Sequence, residues 1–381
     1  MSERTIELYN KIFGSEPDIV VKGPGRINLM GEQTEAYNGF VLSAAINKAE
    51  FIALGKRDDR EIHLFSEEYN TRIVENLDTI KPSKGWTAHI LGVVDQFHKI
   101  GIIIDGFNIV IENNVPHNTG IASSTAIECA VAFALNGLFN VQLNRKKLAQ
   151  LSQKAEQEFI GVHCGIMDQF SSLYSKKDHV IKLDCKTIDF TYYPLPMNQY
   201  KLVLLDTQIK HIRTVSENII RKEQCEKGVK LIAKKYKSVR SLRDTTLTQI
   251  EECLLHNDPV YNRCKFVVEE IERLNLACIY LSTNDFVSFG RKMNASHEGL
   301  KKLYEVSCAE LDFLVTNAQK TPGVLGSRMM GCGFGGATIN LVENNAVDTL
   351  INQCTEAYKK EMKLDLKAYV VEIDDGTHLI F

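Results

Sequence analysis

One stretch of this chain limits its possible folds more than any other. A strand-like run, Phe107–Ile111, breaks into a polar loop, and the sequence continues VPHNTGIASSTAIECAVA over residues 115–132. Ser123, Ser124 and Thr125 open a helix whose apolar residues run on to Leu138. A strand, a glycine-bearing loop and a mostly apolar helix in succession demand a layered α/β environment that covers the helix on several sides. The start of such a helix presents unpaired N–H groups and the positive end of its dipole, which suits an anion. An ordinary Ser/Thr helix cap fits the same residues equally well.

Around that segment the chain is long enough for two domains, with 381 residues. A hydrophobic share of 44% and a charged share of 24% exclude disordered and low-complexity classes. Lys and Arg number 45 against 48 Asp and Glu, for a net charge of −3. A nucleic-acid or membrane-surface partner, which needs a basic excess, is therefore not expected, and a small molecule is the better ligand. The N-terminus reads as a charged amphipathic helix with Ile6, Tyr9, Ile12 and Phe13 on its apolar face, not as a signal peptide. Ten cysteines without any C-x-x-C pair read as free thiols in a reducing compartment, so a cytoplasmic protein is expected.

Strand signals at Ile19–Val21, Phe51–Leu54, Glu61–Phe65, Phe107–Ile111 and Val180–Leu183 alternate irregularly with helical periodicity over Trp86–His98, Ser123–Leu138 and Arg145–Phe159. Beyond residue 195 come the strand Leu202–Leu205, a run of helices from about Thr214 to Ala318, and a glycine-rich turn. The strand Ala337–Val342, a helix over Ala346–Met362 and the strand Ala368–Ile373 follow. Two mixed lobes, 1–195 and 196–381, are expected, in an α+β class without the regular alternation of a doubly wound sheet.

Three further constellations carry chemistry. KGPGRINLMGEQTEAYN (22–38) places Pro24 and Gly25 in an expected tight turn, followed by Arg26 and the polar groups Glu32, Gln33 and Glu35. A guanidinium beside such groups suits a hydroxyl-rich ligand and a phosphate donor, or else a local surface ion pair. GSRMMGCGFGG (326–336) matches G-x-G-x-x-G at Gly331, Gly333 and Gly336, but a strand follows it where a dinucleotide fold needs a helix. Dense glycine there means close backbone approach to a turn, another lobe or a ligand. In EQEFIGVHCGIMDQF (156–170), Asp168 sits among Ile166, Met167 and Phe170, as a structural ion-pair partner or as a group acting on a substrate proton. His163 has no second metal ligand at useful spacing and reads as a packed core residue.

Taken in order, these segments resemble the GHMP small-molecule kinases, and within them the galactokinases. PGRINLMGE (24–32), NTGIASS (118–124), CGIMDQF (164–170), DTQIKH (206–211), HEGLKKLYEVSCAELDFLV (297–315) and RMMGCGFGGATINLV (328–342) carry the resemblance over most of the chain. It implies a two-lobed kinase fold with the active site in the cleft between lobes. The implied reaction transfers the ATP γ-phosphoryl group to a sugar hydroxyl, in galactokinases the C1 hydroxyl of α-D-galactose. The resemblance makes Asp168 the general base and Arg26 the group that stabilises the transferring phosphoryl. Glu32, Gln33, Thr34, Glu35, Gly165 and Asn218 fall to the sugar. Ser66, Trp86, Asn118, Thr119, Gly120, Ile121, Ala122, Ser123 and Ser124 fall to ATP, with Ser124 and Glu156 as ligands of Mg²⁺. It also favours a monomer.

The chain departs from the family pattern at Gln33, Glu35 and Asn218, where His, Asp and Tyr are usual, and at Ala36-Tyr37 in place of Tyr-Asn. Asn118, Thr119, Ala122 and Thr125 also depart from the usual phosphate loop. These departures leave open a kinase of the same fold acting on another sugar or polyol, or a non-catalytic galactose and ATP sensor.

Overall fold

The computed structural model describes residues 2–115, 120–209, 214–256 and 258–381. Asn118 and Thr119 lie outside the described residues, as do the last two of DTQIKH. Among the described residues twelve strands form two sheets. They are β1 (Ile19–Met30), β2 (Phe40–Lys56), β3 (Glu61–Ser66), β4 (Thr71–Asn76), β5 (Phe107–Asn113), β6 (His179–Asp184), β7 (Phe190–Pro194), β8 (Tyr200–Asp206), β9 (Val324–Met329), β10 (Ala337–Glu343), β11 (Lys367–Val371) and β12 (His378–Leu379).

The first sheet runs β12-β1-β2-β5-β3-β4, with β6 added to β2 and β7 to β6. The second runs β11-β8-β10-β9. Among the described residues these strands pair antiparallel, with β3 and β5 the parallel exception. Mostly antiparallel sheets with helices on particular faces make an α+β fold.

The helix Ser123–Leu138 begins where the sequence places it. With Thr87–Lys99 and Arg145–Lys154 it covers the first sheet, and Val93, Phe97, Ile109, Leu135 and Leu148 meet in that core. Gly23 in β1 is what lets the helix lie so close. A Cβ there would stand 2.6 Å from the Ala130 methyl and from the Ala126 carbonyl oxygen. A second core joins the lobes, with Ile27, Leu29 and Leu42 against Leu202, Leu204, Leu281, Met293 and Ile339. The hydrophobic effect therefore holds the two lobes together through a shared apolar core.

Several expectations change. Pro24 and Gly25 do not turn the chain. They lie within β1 at a register shift between Pro24 and Arg26. Pro24 keeps its register with Ala49 and Gly25 is the residue left out of it, an irregularity of the kind where a strand tolerates proline. The glycine-rich segment 326–336 is strand as far as Met329, and only its second half turns. The helical periodicity of Arg145–Phe159 ends at Lys154, and a wider π-type turn, Ala155–Ile160, follows. His163 is exposed and not a core residue, because the chain leaves the helix layer at Gly161, whose φ is +85°. The amphipathic N-terminal helix Ser2–Phe13 docks through Tyr9, which is buried with Val20, Ala53 and Val110.

Candidate active site

Arg26 and Asp168 form a two-pronged ion pair. Nε donates to Oδ1 at 2.6 Å and Nη2 to Oδ2 at 2.7 Å. Asp168 is the second residue of the short helix Met167–Tyr174, whose first turn aims it at β1. The remaining arm of Arg26, Nη1, donates to the Gly120 carbonyl, and the Arg26 backbone N–H donates to the Ile121 carbonyl at 2.9 Å. One residue of β1 thereby ties the helix bearing Asp168 to the loop leading into Ser123. Burial alone would weaken the guanidinium's hold on its proton. The charge and hydrogen bonds of Asp168 outweigh that and raise its pKa.

Beyond that loop opens a cavity of about 490 Å³. Ser66, Trp86, Ser123 and Ser124 line it together with Glu50, Tyr69, Lys84 and His89. Tyr69 and Trp86 stack with ring centroids 6.0 Å apart and planes within 10°. Ala122, at the N-cap of the helix Ser123–Leu138, has φ 56° and ψ 55°, a left-handed turn that points the first N–H groups out of the loop. Ile121 is buried beneath it. Ser123 Oγ donates to Glu50 Oε1 at 2.6 Å, while Glu50 Oε2 is buried with no partner. Burial pushes that carboxyl up to about 8.

A group of acids gathers behind Asp168. Glu156, in the π-type turn, accepts from Gln169 Nε2 at 2.8 Å. Burial raises its pKa, and the charge of Asp168 adds to the rise. Glu128, fully buried one helical turn after Ser124, has its pKa raised by burial and by Glu156 and Asp168. Its Oε1 stands 2.8 Å from His89 Nδ1. Burial drives the imidazole down to about 4, so His89 and Glu128 form a hydrogen-bonded pair held near neutrality.

The turn after β1 supplies the remaining candidates. Glu32 Oε1 accepts from the Gly331 N–H at 2.7 Å and lies 3.6 Å from Arg328 Nη2. Arg328 is fully buried and donates through Nη1 to the carbonyls of Asn28 and Leu29. The glycine-rich turn thus meets the Glu32 turn across the lobes. Asn218 reaches the same turn, its Nδ2 donating to the Cys332 carbonyl at 3.4 Å. Gln33 stands at φ 67°, and Thr34 is fully buried with its hydroxyl aimed at the Phe40 carbonyl, 2.5 Å away. The Thr34 hydroxyl therefore braces the turn from inside. Glu35 reaches the backbone beside Gly165, accepting from the Ile166 and Met167 N–H groups.

Sequence reasoning passed over Glu50, Tyr69, His89, Glu128 and Arg328. Glu50 and Arg328 had a readable signal, since each is a charged residue inside an apolar strand run. Tyr69 and His89 had none, because they join the site only through tertiary packing.

Known proteins resemble this chain along nearly its whole length. The galactokinase galactose-binding signature matches residues 7–56, the GHMP kinases N terminal domain 88–176, and the GHMP kinases C terminal family 269–360. A galactokinase of Thermotoga petrophila is 37% identical, covering 94% of this chain and 99% of its own. One from Clostridium acetobutylicum is 36% identical, covering 98% of each. The crystal structure of Lactococcus lactis galactokinase complexed with galactose superposes with a TM-score of 0.92 at 30% identity, over 99% of both chains. Methanococcus jannaschii mevalonate kinase shares the fold, with a TM-score of 0.68 at 20% identity. By sequence along nearly its whole length and by fold, the chain belongs to the galactokinases of the GHMP kinase family.

Proposed function

We propose that this protein transfers the γ-phosphoryl group of ATP to the C1 hydroxyl of α-D-galactose, giving ADP and α-D-galactose 1-phosphate. The observation that carries the reading is the two-pronged Arg26–Asp168 pair, tied through Gly120 and Ile121 to the loop that opens the Ser123–Ser124 cavity. A proton acceptor and a cation fixed side by side at the edge of a nucleotide-sized cavity are what phosphoryl transfer asks of a protein.

In this reading Asp168 takes the proton of the attacking hydroxyl as the C1 oxygen bonds to the γ-phosphorus and the bond to the ADP oxygen breaks. Arg26 faces the charge that gathers on the transferring group. Tyr69 and Trp86 offer a flat apolar wall for a base, and the helix start at Ser123 offers N–H groups to phosphate. Glu32 contributes a fixed carboxylate for sugar hydroxyls.

Among the described residues no three His, Cys, Asp or Glu side chains gather closely enough to hold a metal ion by themselves, so a divalent cation here would take phosphate oxygens as further ligands. Burial and the charge of Asp168 both raise the Glu156 carboxyl pKa, and a cation beside Glu156 would offset both. Ser124 and Glu156 would hold Mg²⁺, which supplies charge neutralisation on the phosphates when bound. The same reading takes the protein as a cytoplasmic monomer, to be checked by sedimentation and cell fractionation.

The test is Mg²⁺-dependent ADP release with ATP against galactose, N-acetylgalactosamine, glucose, arabinose, fucose and inositols. Turnover with galactose, lost in Asp168→Asn, is expected. Turnover with another member alone would move the assignment to that sugar. Silence with every acceptor, while ATP still binds, would overturn the kinase reading.

A further inference from the structure

The helix that carries Asp168 has an unusual start. It is only eight residues long, Met167–Tyr174, and its N-cap residue is Ile166, whose side chain makes no capping bond. The N–H groups that precede the first internal bond, from Phe170 to the Ile166 carbonyl, are a large share of so short a helix, and its first turn frays unless something outside holds it. What holds it comes from 131 residues earlier in the chain. Glu35 Oε1 accepts from the Ile166 N–H at 2.6 Å and from the Met167 N–H at 2.9 Å.

The seat for this carboxylate is built from both sides. Gly165 leaves the space it occupies, for a Cβ there would fall 1.9 Å from the Glu35 carboxyl carbon. Glu35 itself stands on a stiff support. It opens a 3₁₀ turn, Glu35–Tyr37, between the left-handed residues Gln33 and Asn38, with the buried Thr34 hydroxyl bonded beneath. Tyr37 anchors the far side of that turn to Tyr304, their hydroxyls 3.4 Å apart. The other end of the helix is fixed as well. Ser171 meets Ser43 of β2 at 2.6 Å, and Ser172 donates to the Pro24 carbonyl of β1.

We propose that Glu35 is a positioning residue for Asp168, gripping the first turn of its helix and so fixing the base against Arg26. This deepens the kinase reading and rests on it for the role of Asp168. It moves Glu35 from direct reading of a sugar hydroxyl, the role the family resemblance implied, to control of the group that takes the proton.

The electrostatics give the arrangement a pH signature. The titratable groups facing Glu35 are Asp168 on the held helix, Arg26 in β1 and the thiol of Cys185 just after β6. Burial and the charge of Asp168 push the Glu35 carboxyl up to about 7, against the pull of the two N–H groups and Arg26. Burial keeps the Cys185 thiol protonated, so it brings no charge of its own. Above pH 7 the ionised carboxylate binds both N–H groups at full strength. Below it, the protonated group is a weaker acceptor and the grip on the first turn loosens.

The experiment compares wild type with Glu35→Gln and with Gly165→Ala, which keeps the carboxylate but displaces it. Four quantities are read: kcat and the KM values for galactose and for ATP from pH 5.5 to 8.5, and amide exchange at Ile166 and Met167. The expected result in both variants is a kcat lower by about ten- to a hundredfold, the scale set by a displacement near 1 Å. The KM values for galactose and ATP stay within about twofold, the kcat inflection near pH 7 seen in wild type is absent from Glu35→Gln, and the two amides exchange faster. A KM for galactose raised in place of a lowered kcat would overturn the proposal in favour of a sugar contact. Unchanged exchange at Ile166 and Met167 would overturn it whatever the kinetics. If wild type itself turned over no sugar, the kinase reading would fall, and the exchange rates alone would judge whether Glu35 holds the helix.

Discussion

Arg26 meets Asp168 edge to edge, both nitrogens of one face of the guanidinium engaging both oxygens of the carboxylate at 2.6 and 2.7 Å. Few contacts fix two side chains so fully, since distance and orientation are both set. Replacing Asp168 with Asn keeps the shape and removes the charge. In Asp168→Asn, kcat should fall about 10²–10⁴-fold, the usual contribution of a positioned base. Binding of a non-hydrolysable ATP analogue, followed by calorimetry, should change by less than a factor of about three. Retained turnover would remove Asp168 from the chemistry.

The stacked rings of Tyr69 and Trp86 make a separate prediction. Stacking of a nucleobase on an aromatic wall is worth about 1–3 kcal/mol. Trp86→Ala should therefore raise the KM for ATP roughly tenfold or more while leaving the KM for galactose near its wild-type value. Steady-state kinetics with each substrate varied in turn decides it. Equal changes in both constants would place the ring elsewhere in function.

How much of this was legible beforehand follows from where each signal resides. The helix Ser123–Leu138 was readable because its cap and apolar run are local, and Arg26, Glu32, Asp168 and Glu156 stood in short motifs. Glu35 was legible as a candidate but not as to its partner. Nothing local to residues 31–40 says that its carboxylate reaches the backbone of Ile166. Tyr69 meets Trp86 only because the Thr71–Asn76 hairpin strand folds back beside the cavity, a long-range event that leaves no periodicity in the sequence. Pro24-Gly25 reads as a turn because the dipeptide favours one when no neighbouring strand competes, and here β2 competes.

Glu50 should make stability depend on pH. Its carboxyl has an ordinary value of 4.5 and sits at about 8 when folded, raised by burial against the Ser123 hydrogen bond. The folded state thus holds a proton that the unfolded state releases. Its stabilising contribution is complete below pH 4.5 and is lost as pH rises through 8. Glu50→Gln removes this titration. The melting temperature of the variant relative to wild type should climb steadily from pH 5 to 8 and level off above. A constant difference over that range would contradict the burial argument.

Gly333 carries a structural prediction. Its φ is +90°, and a Cβ would lie 2.3 Å from the Val306 carbonyl oxygen. Gly333→Val should cost at least about 2 kcal/mol in unfolding free energy through strain and overlap. The same change should impair galactose turnover, because this turn carries the Gly331 N–H that binds Glu32. Chemical denaturation and kinetics on one preparation test both halves.

The bond from Gly331 to Glu32, backed by Arg328, has a consequence for how such an enzyme can be altered. Glu32 belongs to a turn near the start of the chain, and the groups that hold it arrive some 300 residues later. The carboxylate is aimed by contributions from two distant stretches, and neither stretch alone fixes its direction. A chimera that takes the early signature from one kinase and the late glycine turn from another would inherit a carboxylate with no fixed direction. If Glu32 reads the sugar as proposed above, preference in this scaffold is a jointly owned trait, to be exchanged as a matched pair of segments or not at all.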